Sequence, residues 1–345
     1  MATSETVNKQ KAPAVDAGAF LREEMQTDTF SRRSSVLRTE GCRLCPRRCG
    51  ADRTETLAAG FCASPSVMRI ARAAVHFGEE PCLCGTRGSG AVFFTGCNLR
   101  CVFCQNHLIS RGAGGRTVTV PELRDIMRRL EDEGVHNIDL VTPTHFSPLI
   151  AEALAGIRLS VPVVWNSSGY ETPEQLRELE GLVQIYMPDL KYADPALAAE
   201  LSFAPDLPEV SLAAIREMFR QTGPFVTDED GLLQRGVLVR HLILPGHPEN
   251  TLRVIDMMED ELPHRQMLFS LLAQYTPIAA LAETPPMRSH PELLRPVSEA
   301  EYRRVLDYLY FSSIDEGYVQ ELSAAGESAI PAFDLTGVPE SSANA

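Results

Sequence analysis

The sequence predicts an α/β protein built on parallel strands, and three observations carry that expectation. From residue 88 onward, short apolar runs suited to buried strands alternate with segments of helical periodicity. The strand runs are apolar nearly throughout, as in parallel strands with helices packed outside them. Polar residues then collect just after those runs, where the C-terminal ends of parallel strands gather functional groups.

Taken in order, residues 1–36 mix Ala, Ser, Thr, Lys and Glu without sustained periodicity and are expected to form a disordered leader with one short helix near Phe20 to Met25. Residues 37–87 form a Cys-rich module in which Cys42, Cys45, Cys49 and Cys62 supply four thiolates. That is the complement of a tetrahedral zinc site or of a fully ligated auxiliary iron–sulfur cluster, and spacing does not choose between them. Cys82 and Cys84 are too close together to complete a site alone and read as loop cysteines.

Residues 88–323 carry the alternation itself. Ala91 to Thr95 reads as the first strand, and Thr119-Val120-Pro121-Glu122 as a capping box opening a helix whose Leu123, Ile126, Met127 and Leu130 recur at helical spacing. Further strands are expected at 137–141, 162–165, 183–187, 237–244 and 267–272. Helices are expected at 148–157, from Thr172, around Leu197, at 212–220 and 252–258, and from Ser298-x-x-Glu301 to Tyr310. Residues 324–345, rich in Ala, Ser, Gly and Pro, read as a peripheral tail.

Composition narrows the function. Against 46 Asp and Glu there are 32 Lys and Arg, a formal charge of -14 that disfavours nucleic acid and anionic membranes as partners. No apolar run approaches the roughly 18 residues that span a bilayer, and no signal-peptide core opens the chain, so a cytoplasmic protein is expected. Nine cysteines in close clusters point to metal ligation rather than disulfides.

The chemistry centres on Gly96-Cys97-Asn98-Leu99-Arg100-Cys101-Val102-Phe103-Cys104, directly after the first strand. Three thiolates on one short loop can bind three irons of a four-iron cluster and leave the fourth iron open. The same cysteines with His107 can also be read as a zinc site. Thr142 to His145, Asn166 to Ser168, Asp189 with Lys191, Arg240 with His241, and Gln274 to Thr276 fall at or near the ends of later strands.

These motifs resemble the radical S-adenosylmethionine (SAM) superfamily, in particular the branch of pyruvate formate-lyase activating enzyme and its uncharacterised relatives. Besides the cysteine loop, Trp165 to Glu171, Tyr186 to Tyr192, Arg240 to Gly246 and Gln274 to Pro277 recur in order. The resemblance implies a partial (β/α)6 barrel whose 4Fe–4S cluster on Cys97, Cys101 and Cys104 binds SAM and cleaves it to a 5′-deoxyadenosyl radical for hydrogen abstraction. It implies that Phe103 lies beside the adenine, and that Asn166, Ser167, Met187 and Asp189 form a small cation site near the cofactor. Lys191 and Arg240 would bring positive charge to the cofactor carboxylate or pair with Asp189 or Asp194, and Ser168 is a further cofactor-binding candidate. Its implied partners are a protein substrate with a glycine target and a flavodoxin- or ferredoxin-like electron donor.

One departure is plain. Where the family carries a Gly-Gly-Glu segment against the methionine ammonium, this chain has Thr142-Pro143-Thr144-His145, leaving the Thr144 hydroxyl or backbone carbonyls as acceptors. His241 reads equally as a core histidine or a substrate contact. A radical enzyme acting on a small molecule and a non-catalytic iron–sulfur or zinc scaffold are the alternatives.

Overall fold

The apolar runs become strands of one ten-stranded sheet in the computed structural model, which describes residues 41–326 and 330–340. The strands are β1 (Met68–His76), β2 (Ser89–Phe94), β3 (Arg116–Val118), β4 (Ile138–Val141), β5 (Val163–Ser167), β6 (Ile185–Pro188), β7 (Val226–Thr227), β8 (Leu233–Leu242), β9 (Leu268–Leu272) and β10 (Gly317–Val319). Their order is β10-β9-β8-β6-β5-β4-β2-β1-β3, with β7 paired to β8. From β2 through β10 along this order every neighbouring pair is parallel. All six strands expected from the sequence lie side by side in chain order, an open α/β arrangement consistent with a partial barrel.

The helices between them are α1 (Val120–Asp132), α2 (Ser147–Ala155), α3 (Pro173–Arg177), α4 (Pro195–Ser202), α5 (Leu207–Thr222), α6 (Pro248–Glu261) and α7 (Glu299–Phe311). Both expected capping boxes form: Thr119 with Glu122 starts α1, and Ser298 with Glu301 starts α7. On α1, Leu123, Ile126, Met127 and Leu130 are all buried against the sheet. Each such side chain is worth about 1.5–3 kcal/mol of apolar burial.

The sheet begins earlier than the alternation suggests. β1 pairs antiparallel with β2, Ala73 opposite Val92, and with β3, Met68 opposite Val118. Its pattern is interrupted by Arg69, whose guanidinium donates to the Gly115 carbonyl at 3.0 Å, and Arg72, which pairs with Asp334 at 3.1 Å. The described part of the tail docks on this strand. Leu335 N–H donates to the Ala71 carbonyl at 3.0 Å, Ala73 N–H donates to the Thr336 carbonyl at 2.9 Å, and the Phe333 ring packs edge-on to Phe93. The expected leader lies outside the described residues. Among the described residues no helix is long and apolar enough to cross a membrane.

Candidate functional site

The cysteine loop leaves β2 through Gly96, at φ +87°. A Cβ there would lie 2.0 Å from the Ser64 hydroxyl and 2.6 Å from the Cys62 carbonyl, so only glycine lets the Cys-rich segment pack this close. Cys97 N–H donates to that Cys62 carbonyl at 3.3 Å. Within the loop, Leu99 N–H donates to Cys97 Sγ at 3.3 Å, and Ser202 at the end of α4 donates to Cys101 Sγ at 3.0 Å. The Tyr192 hydroxyl bonds the same Ser202 at 2.7 Å.

Burial pushes the Cys97 and Cys104 thiols up, and repulsion from Cys101 adds to it in both cases. Thiols that oppose one another's ionisation are suited to a cationic centre that takes all their charges together. Among the described residues no three His, Cys, Asp or Glu side chains are placed to hold one metal ion. A four-iron cluster asks for a different arrangement, since each thiolate meets its own iron. Three sulfurs on one loop with amide and hydroxyl donors beside them fit that group.

The neighbouring strand ends bring one charge network to this loop. Lys191 Nζ lies 2.6 Å from Asp189 Oδ2, and Arg240 Nε lies 3.3 Å from Asp189 Oδ1. Arg240 also pairs with Glu79 at 2.9 Å and donates to Asn166 Oδ1 at 2.8 Å, while Asn166 Nδ2 donates to Asp139 Oδ2 at 3.3 Å. Burial raises the Asp189 carboxyl, but Lys191 and Arg240 outweigh it and hold it below the usual carboxylate range. Burial works against the Lys191 ammonium, yet Asp189 and then Cys101 lift it above its ordinary value. Asp139 is the reverse: burial, with Glu79 beside it, drives it well above the normal range.

The residues expected to form a cation site are drawn into this network. The oxygens of Asn166 and Asp189 already face a guanidinium and an ammonium, which supply the positive charge there. Ser167 is engaged in the loop itself, its carbonyl accepting from Asp189 N–H at 3.0 Å and its hydroxyl from Gly169 N–H at 3.2 Å.

The remaining residues fall as follows. Phe103 is half-buried, its ring 6.0 Å from that of Tyr275. Ser168 donates to Asn98 Oδ1 at 3.4 Å, and Asn98 Nδ2 donates to the Tyr170 carbonyl at 2.6 Å, tying the cysteine loop to the end of β5. Thr144 is buried and closed in: its hydroxyl donates to Glu171 Oε1 at 2.5 Å, and its carbonyl accepts from Gln175 Nε2 at 2.6 Å. Burial raises the Glu171 carboxyl to about 7. His241 is a core histidine, its ring nitrogens taken by the Leu190 carbonyl at 2.7 Å and the Thr251 hydroxyl at 2.9 Å; burial lowers it to about 4.

Two acids escaped the sequence reading. Glu171 stood inside a quoted motif without a role, and Glu79 reaches Arg240 from a distant loop that no local pattern marks.

In the Cys-rich segment, Cys42, Cys45, Cys49 and Cys62 line one small enclosed cavity with Arg53 and His145. Burial, then Cys62, Cys42 and Cys49, push the Cys45 thiol up to about 12. Arg53 is buried and donates to the carbonyls of Ser64 at 3.0 Å, Pro65 at 2.7 Å and His145 at 2.9 Å, with Nη1 3.8 Å from Cys42 Sγ. Cys82 and Cys84 are buried in a one-turn helix, Pro81–Cys84, where Cys84 Sγ bonds the Glu79 carbonyl at 3.3 Å.

Residues 91–258 match the Radical SAM superfamily. The matched residues include the cysteine loop, Asn166, Asp189, Lys191 and Arg240, whereas the four-cysteine segment and β9 lie outside them. An uncharacterized protein of Methanocaldococcus jannaschii is 28% identical over 279 residues, covering 78% of this chain and 74% of that protein. Among solved structures, HydG, a maturase of the FeFe-hydrogenase, aligns at TM-score 0.44 and 15% identity over 65% of this chain and 49% of its own. Methylornithine synthase (PylB) aligns at TM-score 0.44 and 16% identity over 71% of this chain and 70% of its own. The chain thus spans about half the length of HydG.

Proposed function

We propose that this protein is a radical SAM enzyme in which Cys97, Cys101 and Cys104 hold a 4Fe–4S cluster and the adjoining strand ends receive SAM. The observation that carries the reading is the three-thiol loop at the end of the first parallel strand, Cys101 buried and Cys97 and Cys104 half-buried, with the Lys191 charge acting on Cys97 and Cys104. Bound there, the cluster supplies one-electron cleavage of the SAM sulfonium to methionine and a 5′-deoxyadenosyl radical.

The chain's own residues do the positioning. Lys191 and Arg240, fixed by Asp189, offer positive charge to the SAM carboxylate; Phe103 offers an aromatic face to the adenine. Asn166 and Ser168 give polar edges at the end of β5. Thr144, held by Glu171 and Gln175, occupies the place of the missing acidic segment.

The test is anaerobic reconstitution with iron and sulfide, then dithionite and SAM, with 5′-deoxyadenosine measured. Turnover is expected, and is expected to vanish in Cys97→Ala, Cys101→Ala and Cys104→Ala. A reconstituted protein that leaves SAM intact would be the non-catalytic scaffold instead.

The geometry supports a small-molecule target, because Arg240 also borders a cavity of about 250 Å³. The target drawn from the resemblance, a backbone glycine of a partner protein with a flavodoxin- or ferredoxin-like donor, is supported by the ordered motifs through Pro277. A cytoplasmic location accords with nine free cysteines.

The second reading concerns the Cys-rich module at 37–87, proposed as a separate sulfur-ligated centre, zinc or an auxiliary cluster; a single zinc ion would have to draw its thiols closer together than they stand. Arg53 supports it: among the described residues this buried cation forms no ion pair and lies against Cys42, where metal-bound thiolates would balance its charge. Metal analysis of Cys45→Ser decides it. Loss of zinc with cluster iron retained marks a zinc site, loss of part of the iron marks an auxiliary cluster, and full retention rejects a ligand role.

A further inference from the structure

We propose that Arg47, Arg48, Arg100, Phe61 and Phe203 form the docking face for an acidic protein that delivers single electrons to the cysteine loop. The inference deepens the proposed function and rests on it for the cluster that takes the electron, but not for the docking itself.

Charge distribution points there first. Residues 41–116 contain ten Arg, no Lys and four Asp or Glu, whereas the whole chain carries a formal charge of -14. A basic segment in so acidic a protein draws an anionic partner to one place. Some of these cations are already engaged: Arg53 is buried on backbone carbonyls, and Arg72 pairs with Asp334.

The cations beside the cysteine loop are not paired. The Arg47 guanidinium carbon lies 3.9 Å from the centroid of the Phe61 ring, and that of Arg100 lies 4.5 Å from the same centroid. Their hydrogen bonds go to carbonyls: Arg100 Nε donates to Phe61 at 3.0 Å, and Arg47 donates to Asn98 at 3.0 Å, to Ser202 at 3.1 Å and to Phe203. Among the described residues neither forms an ion pair, and Arg48, exposed next to Arg47, forms none either. Asp206, which approaches Arg47 through Tyr170, has its carboxylate held by the Tyr170 hydroxyl at 2.8 Å. Two like charges on one ring repel, and a carboxylate-bearing surface relieves that repulsion.

An apolar contact completes the face. Phe203 is 44% exposed and sits at φ +55°, a left-handed conformation that strains a side chain of this size. Its carbonyl is the one held by Arg47, so the same cation that meets the partner also fixes the exposed ring. Arginines beside an exposed aromatic suit a protein interface; a small inorganic anion needs no apolar contact.

The connection to Cys101 argues for electrons. Arg100 immediately precedes Cys101, and Phe203 follows Ser202, whose hydroxyl donates to Cys101 Sγ at 3.0 Å. A protein docked on this face therefore stands one residue from a proposed cluster ligand along two separate paths. In the step, one electron leaves the reduced donor and enters the cluster; the donor is oxidised by one electron, the cluster is reduced by one, and no atom is transferred.

The test uses the full-length reconstituted protein with two acidic one-electron carriers as probes, a flavodoxin and a two-iron ferredoxin, and poly-L-glutamate as the charge-only control. Calorimetry reads binding of the oxidised carriers, and stopped-flow bleaching of the cluster reads electron delivery from the reduced ones, each rate divided by the same protein's rate with dithionite. Saturable binding of at least one carrier is expected, weakening as salt shortens the screening length from about 10 Å at 0.1 M to about 3 Å at 1 M. The Arg48→Glu, Arg100→Glu double variant is expected to weaken binding and slow delivery by about tenfold or more. Phe203→Asn, which tolerates the left-handed backbone, is expected to act in the same direction and keeps the test decisive if the double variant takes up no iron. Arg128→Glu, an exposed reversal on α1, is expected to change neither. Binding of neither carrier, binding indifferent to salt, equal binding of poly-L-glutamate, wild-type behaviour in both variants, or binding lost with delivery unchanged would overturn the proposal. Dithionite bypasses docking, so 5′-deoxyadenosine formed with it reports the radical reading separately.

Discussion

Lys191 Nζ and Asp189 Oδ2 stand 2.6 Å apart just beyond β6, and Arg240 closes on the other oxygen of the same carboxylate. Asp189 is the common anion of two largely buried cations. Asp189→Asn keeps the shape and removes the charge, leaving both cations short of a partner. We expect a loss of about 3 kcal/mol, the lower end of what breaking a buried pair costs. Urea denaturation measures it, and an unchanged midpoint would show that solvent already screens the pair.

Glu171 makes the fold sensitive to pH in an unusual direction. Its carboxyl is lifted from 4.5 to about 7 in the folded chain, so the folded state holds a proton that the unfolded state has released. The stability this contributes is full below pH 4.5 and is lost as pH rises through about 7, by up to about 3 kcal/mol. Glu171→Gln keeps an acceptor for Thr144 and has no charge to lose. Comparing the two proteins' unfolding free energies at pH 5 and pH 8 is the check: the variant gains on the wild type at the higher pH.

Gly96→Ala should fail locally. Its Cβ would meet the Cys62 carbonyl and Ser64, and φ +87° strains any other L-residue. Backbone strain alone amounts to about 1–2 kcal/mol. We expect reduced iron uptake and faster proteolysis between residues 50 and 65, seen by mass spectrometry, with the far strands β8 and β9 still protected.

Ser202 tunes the proposed cluster. A hydroxyl donated to a ligand sulfur draws off negative charge and favours reduction. Ser202→Ala removes the 3.0 Å bond to Cys101 and should lower the midpoint potential, on the order of tens of millivolts. A redox titration followed by electron paramagnetic resonance reads this directly. Tyr192→Phe should shift it in the same sense by less, since Tyr192 acts through Ser202.

Much of this was legible before folding. Continuous apolar runs marked the six parallel strands, because strands covered by helices need no alternation. Capping boxes marked α1 and α7 because their chemistry is local. β1 escaped because Arg69 and Arg72 break its pattern, and their partners at Gly115 and Asp334 are visible only in three dimensions. β10 is three residues long, too short to carry a period. The cysteines announced themselves by spacing, and the polar strand ends by position. What sequence could not show was pairing: that Arg240 would occupy the oxygens of Asn166 and Asp189, or that Glu171 would close over Thr144.

The docking of residues 335 and 336 on β1 bears on how this protein behaves in concentrated solution. β3 covers β1 only as far as Ile70, and the next backbone groups, at Ala71 and Ala73, are satisfied by Leu335 and Thr336. Trimmed of that segment, the strand would offer unpaired amides and carbonyls to any neighbouring copy. A chain shortened at residue 329 should therefore self-associate even with its cysteine loop intact.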